Sequence, residues 1–164
     1  MTIAAASPSQ KVGNAFGAAS GAVAYPNDVA TGSLLVAAFI AYTGTTNDPP
    51  TAADLTQTAG TATIGAVSLD RVHTLDIGPG IATVHVALYS AIVQSGGSLT
   101  FTGNGGPSGV ACLLVMEEFT GRWGPDRLIA SNSAVGNSAV QSSGPASSTR
   151  PAMFFAALMH VNIT

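Results

Sequence analysis

Long charged side chains are nearly absent from this sequence. Its 164 residues include one lysine, Lys11, and two glutamates, Glu117 and Glu118, and charged residues make up 8% of the chain. A typical soluble domain carries about 25% charged residues. Five basic residues and a net charge of −3 do not build the clustered Lys/Arg patch that binds phosphate backbones. We therefore expect no nucleic-acid partner.

Cysteines and long hydrophobic runs are also scarce. Cys112 is the only cysteine, so it cannot form a disulfide within the chain, and its apolar neighbours predict a small buried thiol. The longest apolar runs, 34–42 and 110–116, are far shorter than the roughly 20 residues of a membrane-spanning helix, and we expect no membrane segment. The start, Met1–Ala4, lacks the features of a secretory signal, which predicts synthesis in the host cytoplasm.

Small residues replace the missing charge. Ala, Gly, Ser and Thr make up about half of the chain, and such side chains lose little rotamer entropy when they are pressed against a neighbour. Interfaces are also depleted in Lys and Glu. The composition therefore predicts a chain that packs against its own copies or a large partner. A GC-rich genome, which favours Ala and Gly codons, explains the same composition equally well.

Strand signals run through the sequence, and helix signals are almost absent. Apolar and polar residues alternate with the period of two that is typical of β-strands, and Gly-, Pro- and Asn-rich turns separate the runs. About eight such strands predict an all-β fold, an antiparallel β-sandwich or barrel, in one domain over 1–164. Residues 51–58 are predicted as a loop with at most a short helix. The strongest predicted strands are 34–42, 81–93, 99–102, 110–120 and 153–163, and weaker ones are 12–23, 66–75 and 138–142.

Two predicted strands, 34–42 and 153–161, are apolar on both faces. An antiparallel sheet with one face in water alternates apolar with polar residues. The pattern therefore predicts that a neighbouring subunit or the N-terminal segment covers the second face. The alternative is a central strand whose Ala-rich outer face tolerates water. Because the sequence ends in an apolar run at Thr164, the natural chain either ends in a paired strand or continues.

No pattern of catalytic or metal-binding residues stands out. His73, His85 and His160 lie outside zinc-binding spacings, and no Gly-x-Ser-x-Gly elbow occurs. A histidine on an alternating strand, such as His85 within 81–93, is predicted on the solvent or interface side of that strand. Glu117 and Glu118 are adjacent on a strand and point to opposite faces, so they do not form a glycosidase pair. The sequence therefore predicts a non-enzymatic protein without cofactor or metal. The alternatives are a calcium ion held between distant loops and an enzyme with dispersed catalytic residues.

The stretch 117–127 holds five of the thirteen charged residues and the only tryptophan. Arg122 and Trp123 lie between two glycines, and such a tip is typical of anchors at interfaces, while a Trp also stacks on sugars. Ion pairs that pin the loop explain the same residues equally well. The candidates for an interface are Arg122, Trp123, Asp126 and Arg127 in this loop and Phe39, Phe154 and Leu158 on the strands that are apolar on both faces.

The order of these segments resembles a known architecture. The succession of Ser33–Ala41, Ala87–Tyr89, Leu114–Gly121, Pro125-Asp126, a Ser-rich loop and Ala152–Leu158 is similar to jelly-roll-like sandwich modules of bacteriophage structural proteins. These include capsid decoration (cement) proteins and tail or fibre parts, and bacterial surface proteins contain similar modules. The resemblance implies a jelly-roll-like antiparallel β-sandwich and an oligomeric, non-enzymatic virion component. It defines no binding residues.

These observations lead to one functional prediction and one alternative. The prediction is a capsid decoration protein on the virion surface, a homotrimer that packs on the major capsid protein or another virion protein. The alternative is a phage tail or fibre module or a bacterial surface module that binds a glycan. In that case Trp123, Tyr89 or Tyr42 would stack on the sugar.

Overall fold

The computed structural model describes residues 4–5, 10–43, 48–78, 82–106 and 109–120. This part of the chain contains ten strands and one short 3-10 turn, η1, and β-structure dominates it. The strands are β1 (Ala4–Ala5), β2 (Lys11–Phe16), β3 (Ser20–Ala24), β4 (Leu34–Tyr42), β5 (Leu55–Ala59), β6 (Thr63–Ile64), β7 (Ser68–Gly78), β8 (Ala82–Ser95), β9 (Thr100–Asn104) and β10 (Ala111–Thr120), with η1 at Ala52–Asp54.

The strands form two antiparallel sheets that pack face to face. The larger sheet has β10, β4 and β8 at its centre; β1 and β2 both pair with the outer side of β10, and β6 and β7 both pair with the outer side of β8. The smaller sheet has the order β3-β9-β5. This arrangement confirms the predicted all-β antiparallel sandwich.

The strand pairing is nested, as in a jelly roll. The early strands pair with the late ones in reverse order: β2 with β10, β3 with β9, and β4 with β8. Eight-stranded jelly rolls are double-sheet folds of this kind. The last pair is altered here, because β5 ends the smaller sheet while β6 and β7 join the larger one. The order of pairing is therefore similar to that of a jelly roll, with a rearranged edge.

The sequence pattern located the long strands but missed two boundaries. The predicted strand 34–42 coincides with β4, whereas the predicted strand 12–23 is really β2 and β3, which lie in different sheets. Residues 51–58 were predicted as a loop with at most a short helix; the short helix is confirmed, whereas β5 was not predicted. These residues contain a 3-10 turn, in which Thr51 N and Oγ1 donate to Asp54 Oδ2 at 2.6 and 2.8 Å, followed by β5. The predicted strands 138–142 and 153–163 lie outside the described residues.

The core lies between the two sheets. Large side chains from the inner faces fill it, and a glycine on β9 makes room for one of them: a Cβ on Gly103 would lie 2.5 Å from Phe39 Cε2. Large members that are at most 2% exposed include Phe39, Tyr89, Leu114, Met116, Val93, Leu99 and Phe101. Phe39 was a candidate contact residue, but it is 0% exposed. It packs in the core instead and is not available to a partner.

Both faces of β4 are buried, as its apolar pattern predicted. Leu35, Phe39 and Ala41 point into the core between the sheets. On the opposite face, Leu34 and Ile40 are each 4% exposed, although they do not belong to that core cluster. This burial occurs within a single chain.

Candidate functional site

The smaller sheet presents an outer face of small polar and apolar side chains. Strand alternation directs Val23, Leu55 and Phe101 into the core, so their neighbours point outward. We call this surface the threonine face. It consists of Ser20, Ala22 and Ala24 on β3, Thr100, Thr102 and Asn104 on β9, and Thr56 and Thr58 on β5.

The threonine face carries no charged side chain. Ala22, Thr102 and Thr56 lie side by side across the three strands, and Thr58 Oγ1 and Thr102 Oγ1 form a hydrogen bond of 2.9 Å. Side chains this short have little rotamer entropy to lose on contact. Without Lys or Glu, no long charged group has to be desolvated or ordered there. The face is therefore suited to packing against another flat protein surface.

A buried carboxylate ties β10 to the segment between β3 and β4. Glu118 is 1% exposed, and its carboxylate accepts three hydrogen bonds. Gln10 Nε2 donates to Oε2 at 2.7 Å, while Ser33 Oγ and the Ala30 amide donate to Oε1 at 2.7 and 2.6 Å. Gln10 extends the network, because its Nε2 also donates to Asp28 O and its Oε1 accepts from Asn27 N. These hydrogen bonds lie inside the protein, so the network stabilises the fold.

Tyr25 lies next to this network. Burial raises the pKa of its phenol above the ordinary value, and the nearby charges of Glu118 and Glu117 raise it further. Among the described residues, the buried Tyr25 Oη and Ser90 Oγ have no hydrogen-bond partner. Both residues line a cavity of about 10 Å³ between the sheets, which is about the space of one water molecule. The cavity is therefore too small for an organic ligand.

His85 lies in the interior at the other end of β8 from the Glu118 network. It is 0% exposed, with Nδ1 at 2.9 Å from Thr74 Oγ1 and Nε2 at 3.4 Å from Thr43 Oγ1. Burial lowers the pKa of the imidazole, and the charge of Asp48 opposes that shift. The sequence predicted a histidine on the solvent or interface side of its strand, which is wrong. The two threonine hydroxyls satisfy its ring nitrogens in the core.

The buried His85 makes the stability depend on pH. Because its pKa in the folded state lies below the value of about 6.5 in the unfolded chain, the unfolded state binds more protons as the pH falls. We expect the contribution of His85 to the free energy of unfolding to be constant above about pH 6.5. Below that pH the contribution should decrease as the pH falls toward the pKa of His85 in the folded state. Urea denaturation between about pH 7 and about pH 5 measures this slope. His85→Gln should flatten this slope; an equal slope in the variant and in the unmodified protein would contradict the assignment.

Most of the predicted contact residues lie outside the described residues. These are Arg122, Trp123, Asp126, Arg127, Phe154 and Leu158. Of the predicted sugar platforms, Tyr89 is 0% exposed, and its hydroxyl donates to Thr51 O at 2.9 Å. Tyr89 therefore cannot stack on a glycan. Tyr42 is partly exposed at the end of β4.

Other predictions about single residues are confirmed. Cys112 is buried and reduced, and burial raises the pKa of its thiol. Glu117 and Glu118 point to opposite faces of β10, since one pairs with Val36 on the outer face and the other with Leu35 on the core side. The sequence did not reveal the threonine face as a unit. The alternation in Thr100-Phe101-Thr102 was the available signal, but nothing local indicated that β3 and β5 flank it.

Comparisons with known proteins give no match to this chain. No protein-family model, no curated protein and no solved structure is similar to it. Among the described residues, no three His, Cys, Asp or Glu side chains come together as metal ligands. The same part of the chain contains no helix with the length and apolar character to cross a membrane.

Proposed function

We propose that this chain is a non-enzymatic virion structural protein, a capsid decoration protein that packs on the capsid surface and on its own copies as a trimer. The observation that carries the proposal is the threonine face. Its eight side chains are short and uncharged, so a flat partner can cover them at little cost in side-chain entropy.

The fold supports this class of function by analogy. Nested double-sheet jelly rolls are the architecture of viral capsid domains and of lectin domains. Tyr89 is buried and therefore cannot stack on a sugar, which favours the capsid role over the glycan-binding alternative.

The composition supports it independently. The whole chain has one lysine and two glutamates, and Glu118 is used inside the fold. Association through such a surface depends on shape and small-residue packing more than on charge pairs. It should therefore be only weakly sensitive to salt.

A lysine in the middle of the threonine face tests the assembly. We expect light scattering to give a mass about three times the 16.2 kDa of one chain for the unmodified protein. Ala22→Lys should weaken association about tenfold or more, because a long charged side chain must be ordered and desolvated. Ala22 is exposed, so the variant should keep its fold.

Ala66→Lys is the matched control, since Ala66 is also exposed but lies between β6 and β7, away from this face. A protein that stays monomeric at high concentration contradicts the assembly. Equal weakening by both lysines contradicts the choice of surface. For the virion role, reading frames for capsid and portal proteins are expected beside the one for this chain, and their absence would count against it.

A further inference from the structure

Asn104 and Gly105, at the end of β9, form the only Asn-Gly sequence in the chain. Asparagine is most prone to deamidation when glycine follows it, because glycine has no side chain to hinder attack by its own nitrogen. In that reaction the Gly105 nitrogen loses its proton and bonds to Cγ of Asn104, ammonia leaves, and a succinimide ring forms. Water then opens the ring and leaves aspartate or isoaspartate.

The asparagine side chain is accessible, and its carbonyl group is already polarised. Asn104 is exposed, so water reaches it and solvates a charge that forms there. The Gly106 amide donates a hydrogen bond to Asn104 Oδ1 at 3.1 Å. Negative charge collects on Oδ1 when a nitrogen attacks Cγ, and a donor that is already in place stabilises that charge. The side chain is therefore prepared for the reaction.

The attacking nitrogen, in contrast, is held by the neighbouring strand. The Gly105 amide donates to Ala19 O at 2.7 Å, and Gly105 is buried. A nitrogen in this hydrogen bond keeps its proton and cannot turn toward Cγ. The bond lies just beyond Ser20 and Asn104, the terminal pair of β3 and β9. Strand ends open more readily than strand centres, so the restraint can be released without unfolding the protein.

We propose that Asn104 is a deamidation site that the folded chain keeps closed. The Ala19 carbonyl holds the Gly105 nitrogen, and separation of the end of β3 from β9 releases it. Asn104 belongs to the threonine face, and its conversion places a carboxylate on a surface that otherwise carries no charge. A consequence that rests on the proposed function is that deamidated subunits associate less well than intact ones.

Peptide mass spectrometry of the full chain, incubated near neutral pH with and without urea, tests the site. We expect Asn104 to react about tenfold or more slowly in the folded protein than in urea. In urea it should react faster than Asn14, which precedes an alanine, and Asn104→Gln should remove the reaction. Equal rates in the folded and unfolded protein would overturn the restraint. A rate in urea no higher than that of Asn14 would overturn the site.

A matched pair of valine substitutions locates the opening. Val23→Ala loosens β3 from the core, and Val93→Ala removes the same methyl groups from β8; both valines are at most 5% exposed. Without urea, where circular dichroism shows both variants folded, we expect Val23→Ala to accelerate deamidation about threefold or more and Val93→Ala to change it less than about twofold. Equal acceleration by both, or none by Val23→Ala, would overturn the role of β3. The comparison with and without urea uses the unmodified protein and does not depend on these variants.

The consequence for assembly has its own measurement. By light scattering, Asn104→Asp should associate about tenfold or more weakly than Asn104→Gln, because only the first places a charge on the threonine face. Equal association of the two variants would overturn this consequence. A protein that stays monomeric contradicts the proposed function instead, whereas the deamidation rates are measured on the single chain and decide the site by themselves.

Discussion

Replacing Glu118 with alanine is expected to lower the free energy of unfolding by about 3–5 kcal/mol. The carboxylate is 1% exposed and accepts hydrogen bonds from Gln10, Ser33 and the Ala30 amide. Its removal leaves three donors inside the protein without their acceptor, and each unsatisfied group costs about 1–3 kcal/mol, part of which relaxation recovers. Urea denaturation, followed by circular dichroism, measures the change.

Two variants separate the carboxylate from its surroundings. Glu118→Gln keeps one oxygen for Ser33 and Ala30 but turns an NH₂ group toward Gln10 Nε2, which is also a donor. We expect it to cost about 1–2 kcal/mol. Glu117→Ala, on the opposite and half-buried face, should cost less than about 1 kcal/mol. An unfolding free energy for Glu118→Ala within about 1 kcal/mol of the unmodified protein would contradict the role of the network.

Phe39 and Gly103 are expected to show strong coupling in a double-mutant cycle. Phe39→Ala removes a fully buried ring and should cost about 3–5 kcal/mol. Gly103→Ala should cost about 1–3 kcal/mol, because its Cβ would lie 2.5 and 2.7 Å from two ring atoms of Phe39. When the ring is absent, the same methyl group meets no clash and partly fills the cavity. Gly103→Ala should then be neutral or stabilising in the Phe39→Ala background.

The control for the cycle is Gly65→Ala. A Cβ there would make only ordinary contacts at 3.7 Å, so the change should be neutral or stabilise the protein by up to about 1 kcal/mol through the unfolded state. Denaturation midpoints of the four proteins in the cycle give the coupling energy. Additive effects of Phe39→Ala and Gly103→Ala would show that the ring does not press on β9 in this way.

Local pattern was sufficient for much of the fold. The predicted boundaries of 34–42 coincide with β4, and the predicted strand 110–120 differs from β10 by one residue. In contrast, the run 12–23 carries apolar residues throughout but is divided between two sheets by a bend at Gly17–Ala19. No hydrophobic pattern within one strand indicates which sheet it will join. That depends on the partners β10 and β9, which are about 100 and about 80 residues away along the chain.

The candidate surfaces were less accessible to sequence reasoning. The threonine face exists only because β3 and β5 flank β9, and the Glu118 network joins residues 108 positions apart in the case of Gln10. His85 and Tyr89 look like outward-facing residues, because the other face of β8 carries Val84, Val86 and Leu88. The structure reverses that expectation for a reason that is not local. Thr74, Thr43 and Thr51 O supply the hydrogen bonds that let these polar groups lie inside.

By itself, the sequence determined the all-β class, the alternation along each strand, the buried Cys112 thiol and the opposite directions of Glu117 and Glu118. These follow from covalent geometry and local hydrophobicity, which each segment carries wherever it lies. Only the tertiary structure decided which face of each strand is inside, which strands are neighbours and which polar groups find partners. The physical reason is that burial and hydrogen bonding depend on groups brought from distant parts of the chain.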